Sequence, residues 1–237
     1  MFAESGQAST YLTALIGVDV SSIRPHKVGN QMRVSYTQGM SQDGQSDWIL
    51  DYFPDLSLGP VIRQRLYVPT GSSETVARHV TNAQLRKPIF FVLRNGSLGV
   101  QLNHASAGET SEVVGERERA DFFGGLTTTN FCINWVGHSE FRKQVELHDS
   151  YHHPITVSRL LQRIGRRVDD FLNDADAYFD RNDPHWLHDT LKEWRAHPGL
   201  RPSIYIIGLL HVSRGVWEPI LQLRGVFNLP GPPPLGL

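Results

Sequence analysis

The chain has 237 residues, of which 40% are hydrophobic and 20% are charged, so it holds enough apolar material for a folded core, which argues against disorder. Its 23 basic and 24 acidic residues give a formal net charge of −1, which does not favour an electrostatic binder of nucleic acid or membranes. The single cysteine, Cys132, excludes a disulfide framework within one chain.

The start of the chain is not typical of a secretory signal, because no lysine or arginine precedes the apolar-leaning stretch 11–18. No run approaches the roughly 18–20 apolar residues that span a bilayer. Together with the lone cysteine, these features predict a reducing compartment, cytoplasmic or nuclear, and no membrane partner.

The N-terminal half is interpreted as rich in strands. Residues 31–37 alternate apolar and polar side chains, which is the period-two pattern of a strand, and residues 61–68 predict a second strand. Two serines can then cap a helix that begins near Glu74 and ends before Pro88.

The most definite local prediction is a hairpin over residues 89–102. Two apolar strands flank Asn95-Gly96, the preferred pair for a type I′ turn. Strand, strand, helix and hairpin together resemble the layout of a ubiquitin-like β-grasp, as an analogy of element order without a matching motif. Modules of that layout usually bind other proteins, so the resemblance implies a binding role.

Four strand-like segments are expected in the C-terminal half. Residues 126–136 are rich in threonine and aromatic residues, which favours a strand, whereas residues 140–148 fit either a strand or a helix. Residues 203–212 are apolar on both faces, which predicts a buried central strand, and residues 216–226 follow them after a short turn.

Two helices are expected between these strands. From Thr156 onward, apolar residues recur on one side of a helix as far as Ala175. Asp183 and Pro184 are typical of the first turn of a second helix.

A polar and weakly periodic stretch divides the chain. We interpret residues 1–105 as a β-rich subdomain with one helix and the Asn-Gly hairpin, and residues 106–122 as a linker. Residues 123–230 then form an α+β subdomain, and residues 231–237 an extended tail. The predicted fold class is α+β, with a β-grasp-like N-terminal half followed by antiparallel strands packed against two helices.

The long helix has an unusual order of charges, with arginines in its first half and aspartates in its second, the reverse of what the helix dipole favours. Pairs of Arg166 or Arg167 with Asp170 can offset part of this. Either the face is simply solvated, or its arginines dock an acidic or phosphate-bearing partner. The candidate partner-binding residues on this helix are Arg159, Arg163, Arg166 and Arg167.

An aromatic stretch with acidic neighbours gives a second candidate contact. Trp48 and Tyr52 lie among aspartates in a segment that we expect to be flanked by loops. They form either an exposed contact patch or a small satellite core.

The nine residues 146–154, ELHDSYHHP, contain three histidines and two acidic residues. His148, His152 and His153 supply metal-binding atoms, but their spacing matches no recognised site. The alternative is a polar turn in which Asp149 accepts hydrogen bonds from local backbone N–H groups.

No nucleophile elbow, glycine-rich phosphate loop or paired carboxylate motif is recognisable. We therefore predict an intracellular protein–protein interaction module with neither catalytic activity nor a cofactor. Its partner is unidentified, and a homo-oligomer is left open.

Two alternatives to this predicted function stay open as well. One is a metal-dependent enzyme using the histidines of ELHDSYHHP, and the other is a binder of nucleic acid or a phosphate ligand through the arginine face.

Overall fold

The computed structural model of the chain describes 23–28, 31–36, 48–52, 58–65, 67, 72, 74, 78, 85–181 and 195–225. For the first three ranges only the backbone is described. The predicted helix near Glu74 lies largely outside the described residues. The start of the helix predicted from Asp183 and the tail 231–237 lie outside them.

Three strands in the N-terminal half form a sheet of their own. They are β1 (Ile23–Val28), β2 (Gln31–Tyr36) and β3 (Trp48–Tyr52), and both neighbouring pairs are antiparallel. The strand predicted from the alternation at 31–37 is confirmed as β2.

The second sheet joins both halves of the chain. Its strands are β4 (Ile89–Phe90), β5 (Val100–Gln101), β6 (Thr128–Ile133), β7 (Phe141–Glu146), β8 (Ile204–Ser213) and β9 (Val216–Leu223). Their order is β4-β8-β9-β6-β7, and β5 also pairs with β8. The sheet is mixed because β6 runs parallel to β9, whereas every other pair is antiparallel.

A short segment fills a gap where two central strands separate. We call residues 58–65 the wedge segment. On one side Ile62 N–H donates to the Leu221 carbonyl of β9 at 2.8 Å, and on the other Arg65 N–H donates to the Asn134 carbonyl just after β6 at 2.9 Å. The strand predicted at 61–68 is therefore reduced to two isolated bridges, because its two sides pair with different strands.

One face of this sheet carries two helices. These are α1 (Leu102–Ala107) and α2 (Val157–Asn173), and a single turn, α3 (Ala175–Tyr178), follows α2. Thr156 caps α2 by accepting a hydrogen bond from Arg159 N–H at 3.2 Å, so the predicted long helix is confirmed at its expected start. The apolar face of α2 is buried in the main core through Leu160, Leu161, Ile164, Val168, Phe171 and Leu172.

The predicted class is confirmed at the level of an α+β protein, whereas the β-grasp layout is not confirmed. A β-grasp would keep its strands in one sheet around one helix. Here β1, β2 and β3 form a separate sheet, and β4 and β5 join the C-terminal strands instead. The expectation of purely antiparallel C-terminal strands is wrong because of the β6–β9 pair.

The segment predicted as a linker contributes to the main core. Val113 and Ala120 are buried in the same core cluster as α2. Ala120 N–H also donates to the Ile155 carbonyl at 2.8 Å, which ties the segment to the entry of α2. The division of the chain into subdomains at this point stays a prediction.

The hairpin at Asn95-Gly96 is present, but its turn differs from the predicted type I′. Gly96 has a φ of 81°, whereas Asn95 keeps a negative φ, and a type I′ turn needs positive φ at both positions. Asn95 Oδ1 accepts hydrogen bonds from the N–H and the hydroxyl of Ser97, at 3.0 and 2.7 Å. This local bonding favours a three-residue loop, which closes through the Leu93 N–H to Ser97 carbonyl bond.

Candidate functional site

A groove of about 580 Å³ lies between α2 and the edge strand β7. We call it the arginine groove; it is lined by Gln144, Val145, Glu146, Arg159, Arg163, Arg166, Arg167, Asp169 and Asp170. All four arginines singled out in the sequence therefore contribute to one concave surface. The helix presents them there because its apolar stripe is committed to the core, which leaves the remaining face to line the groove.

Arg163 fastens α2 to the edge of the sheet. Its guanidinium donates to the backbone carbonyl of Glu146 and lies 3.8 Å from a carboxylate oxygen of the same residue. Its side chain is only 22% exposed. Burial lowers the pKa of Arg163, and the neighbouring Arg159 guanidinium lowers it further. Positive charge is thus crowded at this point of the groove.

The acidic residues of the groove are largely engaged. Arg167 donates to Asp170 at 2.9 Å, so one of the two pairings expected from the sequence is confirmed. Asp169 accepts from Arg201 at 2.8 Å and also from the Ser106 hydroxyl. These pairs explain how the helix tolerates an unfavourable charge order, because each aspartate in the groove has a basic partner.

Two arginines of the groove have no carboxylate partner among the described residues. Arg166 is exposed, and Arg159 is exposed with a hydrogen bond to the side-chain oxygen of Gln162 as its side-chain contact. The groove therefore presents two uncompensated guanidinium groups beside the more buried Arg163. Such groups suit carboxylates or phosphates, which accept two parallel N–H bonds from one guanidinium.

The segment ELHDSYHHP forms a tight turn between β7 and α2. His148 and Pro154 form an isolated bridge, and Asp149 N–H donates to the His153 carbonyl at 2.8 Å. The Asp149 carboxylate accepts from the N–H groups of Tyr151 and His153, at 2.9 and 3.0 Å. The hydrogen bond from the His153 backbone is the largest of the influences that lower the pKa of Asp149. This is the arrangement that the turn interpretation predicts.

The three histidines of this turn have different surroundings. His152 and His153 are exposed, and His152 adopts a φ of 62° at the tip. His148 is half-buried, and its Nδ1 has no hydrogen-bond partner among the described residues. Within the described ranges, no group of three or more histidine, cysteine, aspartate or glutamate residues is arranged to hold a metal ion.

The backbone of Trp48 and Tyr52 forms the two ends of β3, in the segment that the sequence analysis expected to be flanked by loops. Both residues pair with β2, Trp48 opposite Val34 and Tyr52 opposite Gln31. The side chains of Trp48 and Tyr52 lie outside the described part of the structure, so their role as contact residues stays a prediction.

The sequence interpretation missed a buried polar cluster on the sheet face opposite α2. Glu218 of β9 is 2% exposed, and its Oε1 accepts from Asn134 Nδ2 at 2.7 Å and from Tyr67 N–H at 3.1 Å. Burial raises the pKa of Glu218 from 4.5 to about 8 despite these two hydrogen bonds. The signal was the one carboxylate in a mostly apolar strand, VWEPILQL.

Cys132 belongs to the same cluster. It is fully buried, and Asn134 Nδ2 lies 3.3 Å from its sulfur. Burial raises the pKa of the thiol, with Glu218 adding to the effect, so the nucleophilic thiolate is disfavoured. The residue thus behaves as the small buried side chain that its position in a strand suggests.

Comparison with protein-family models, with curated proteins and with solved structures finds no match to this chain. Within the part of the chain that the structure describes, no helix is both long and apolar enough to cross a bilayer.

Proposed function

We propose that this chain is a protein-binding module whose arginine groove receives an acidic region of its partner. The observation that carries the proposal is that Arg159 and Arg166 line a groove without a carboxylate partner among the described residues. An acidic side chain would complete the charge pattern of that surface and accept paired N–H bonds. The lone buried cysteine, Cys132, supports a reducing compartment as part of the same proposal.

A protein partner fits the groove better than a nucleic acid does. The same surface carries the carboxylates of Glu146, Asp169 and Asp170, which repel a continuous line of phosphates. A protein partner can place its acidic groups beside Arg159 and Arg166 alone. Binding of nucleic acid or a phosphate ligand is therefore kept as an outcome of the test.

The test is affinity capture from an extract of the source cells, with retained proteins quantified by mass spectrometry. We compare the native chain with the double variant Arg159→Glu, Arg166→Glu, which reverses two exposed charges without breaking an ion pair. The matched control reverses two exposed arginines outside the groove, Arg63→Glu with Arg214→Glu. We expect proteins that the native chain and the control retain and that the groove variant loses.

Two results would contradict this proposal. Equal retention of the same proteins by all three chains would remove the groove from the binding surface. Loss of all captured proteins after nuclease treatment would favour a nucleic acid as the partner of the arginine groove.

The metal-dependent enzyme stays a separate proposal, with the unpartnered Nδ1 of His148 as its one support. About one zinc, manganese or iron per purified chain, lost in His148→Ala, would establish a metal site and favour an enzyme or a metal-stabilised domain over the binding module.

The finer fold prediction, a β-grasp-like N-terminal half, also stays a proposal. It is supported by the order of the predicted elements. An experimental structure that shows how the strands of the N-terminal half pair would decide it.

A further inference from the structure

We propose that the outer edge of β7 binds an extended acidic segment of another protein, which adds to the sheet as a strand beside the arginines of α2. The inference rests on the proposed function and specifies the conformation and charge pattern of the partner. Three features carry it: the direction of the backbone groups of β7, the position of that strand in the sheet, and the spacing of the arginines.

The register of β6 and β7 fixes which backbone groups face outward. In an antiparallel pair, opposed residues alternate between those that exchange hydrogen bonds and those whose N–H and C=O point away. Leu147 N–H donates to the Thr127 carbonyl at 2.7 Å, so this pair exchanges bonds. Asn130, three residues after Thr127, lies opposite Gln144. Its N–H points away from β7 and donates to the Gly215 carbonyl at 2.9 Å, so the pair Asn130–Gln144 does not exchange bonds.

It follows that every second residue of β7 turns its backbone away from β6. These residues are Arg142, Gln144 and Glu146. The Glu146 carbonyl confirms the direction, because it accepts from the guanidinium of Arg163 in the groove. The same edge that lines the groove thus carries the outward backbone groups, of which the Glu146 carbonyl already bonds to Arg163.

This edge is open in the part of the chain that the structure describes. β7 ends the strand order of the larger sheet. Within those residues, the N–H groups of Arg142, Gln144 and Glu146 have no hydrogen-bond acceptor. An edge with free N–H and C=O groups is a template for a further strand, and several families of peptide-binding domains use such edges.

The arginine spacing selects the charge pattern of the added strand. Successive turns of a helix advance roughly 5–6 Å, which separates Arg159 from Arg163 and Arg163 from Arg166 or Arg167 along the axis. Every second residue of a strand advances about 6.8 Å, and these residues share one face. A strand that follows the row of arginines therefore meets them best with an acidic residue at every second position.

The probe is the peptide acetyl-(Thr-Glu)4-amide, which has acidic residues on one face and threonines, which favour strands, on the other. Its control is acetyl-(Thr-Lys)4-amide. We expect the native chain to bind the acidic peptide at low salt and not the basic one. Titration calorimetry would measure the affinity, and the groove variant Arg159→Glu, Arg166→Glu should lose it.

Gln144→Pro separates strand addition from general charge attraction. Proline removes the outward N–H of residue 144, and an edge strand tolerates this because that N–H does not bond to β6. Gln144→Ala removes the same side chain and keeps the N–H. We expect the proline variant to bind at least about tenfold more weakly than the alanine variant, as expected for a lost backbone hydrogen bond and the bulk of the ring.

Amide hydrogen exchange gives a second reading that needs no variant. Upon binding of the acidic peptide, the N–H groups of Gln144 and Glu146 should exchange more slowly. The N–H groups of Lys143 and Val145 already face β6 and should change little. This result supports strand addition even if Gln144→Pro fails to fold.

Other outcomes would overturn the inference. In one such outcome the peptide binds, only the groove variant weakens its binding, and no amide of β7 gains protection from exchange. Charge alone would then attract the partner, and the proposed function would survive without strand addition. If single-stranded DNA binds more tightly than the peptide, the anion is a nucleic acid. A dimer of the chain that Gln144→Pro dissociates would identify a second copy of β7 as the occupant.

Discussion

Glu218 lies among buried side chains of β9 and keeps its proton at neutral pH. Burial holds the pKa of its carboxyl at about 8, and a protonated carboxyl still accepts the bonds from Asn134 and Tyr67. In the unfolded chain the group ionises near its ordinary value of 4.5. Between these two values the unfolded state releases a proton that the folded state retains, so stability falls as pH rises through this window.

We expect Glu218→Gln to raise the free energy of unfolding, because the amide keeps the accepting oxygen and cannot ionise. The gain over the native chain should grow by up to about 1.4 kcal/mol per pH unit between pH 4.5 and 8, and level off above that range. Urea unfolding at several pH values measures it. Glu112→Gln, at an exposed carboxylate, is the control. A native chain whose stability has the same pH slope as the variant would show that Glu218 titrates normally.

The sequence shows that Glu218 is an unusual charged residue in a mostly apolar strand, but it does not predict which side chains surround it. Its hydrogen-bond partners come from residue 67 and from residue 134, far away along the chain. A carboxylate in an apolar strand is equally compatible with a solvent-facing edge. The side chains that bury it decide between the two, and local patterns carry no information about them.

At the scale of single elements, α2 was predictable and β7 was not. The helix has a one-sided apolar stripe over its whole length and a capping threonine, so local signals agree. In β7 the three consecutive residues Arg142, Lys143 and Gln144 are exposed, which breaks the alternation of a strand. Lys143 faces the core side yet reaches solvent at the sheet edge, with its amine 5.7 Å from the centre of the Phe141 ring.

Gly165 shows where the close packing of two helices overrides helix propensity. Alanine is favoured over glycine inside a helix by about 1 kcal/mol. A Cβ at this position, however, would lie 2.7 Å from the backbone nitrogen of Ser106 and 3.0 Å from the carbonyl carbon of Ala105. Both atoms belong to α1, so the helices would have to move apart.

We expect Gly165→Ala to lower the free energy of unfolding by roughly 1–3 kcal/mol, as overpacking usually does. Arg166→Ala, the neighbouring exposed position on the same helix, should change it by less than about 0.5 kcal/mol. Thermal or urea unfolding measures both variants. A stabilised Gly165→Ala chain would mean that α1 yields easily and that the contact is loose.

At the scale of the whole molecule, the wedge segment fills the gap between β9 and β6 where these two strands separate. Gln64 is 5% exposed and bonds on both sides, to β9 and to the residue that follows β6. Its Nε2 donates to the Pro219 carbonyl of β9, and its Oε1 accepts from Asn134 N–H at 3.1 Å. One side chain therefore satisfies two buried backbone groups that the separation of the strands leaves open.

We expect Gln64→Leu to lower the free energy of unfolding by about 2–4 kcal/mol, because it leaves one donor and one acceptor buried without partners. The control is Arg63→Leu, an exposed neighbour on the same segment, with an expected change below about 0.5 kcal/mol. Urea unfolding compares them. Equal small changes in both variants would indicate that water reaches the gap and replaces the side chain.

The elements of the larger sheet were mostly predictable, but their arrangement was not. The β8–β9 hairpin follows from two apolar runs around a short turn. The parallel pair β6–β9 and the inserted wedge segment join parts of the chain that are about 70 to 160 residues apart. No periodicity in one segment encodes a partner at that distance, which is why the sheet was expected to be purely antiparallel.

The wedge segment also sets an order of events during synthesis. A ribosome makes it about 160 residues before β9, one of the two sides to which it bonds, since Gln222 of β9 donates to the Gly59 carbonyl across 163 positions. At a typical rate of roughly 5–20 residues per second, the segment is present on the order of ten seconds or more before β9 is made. The bonds between the wedge segment and β9 can therefore form only long after the bonds between the wedge segment and Asn134 have become possible.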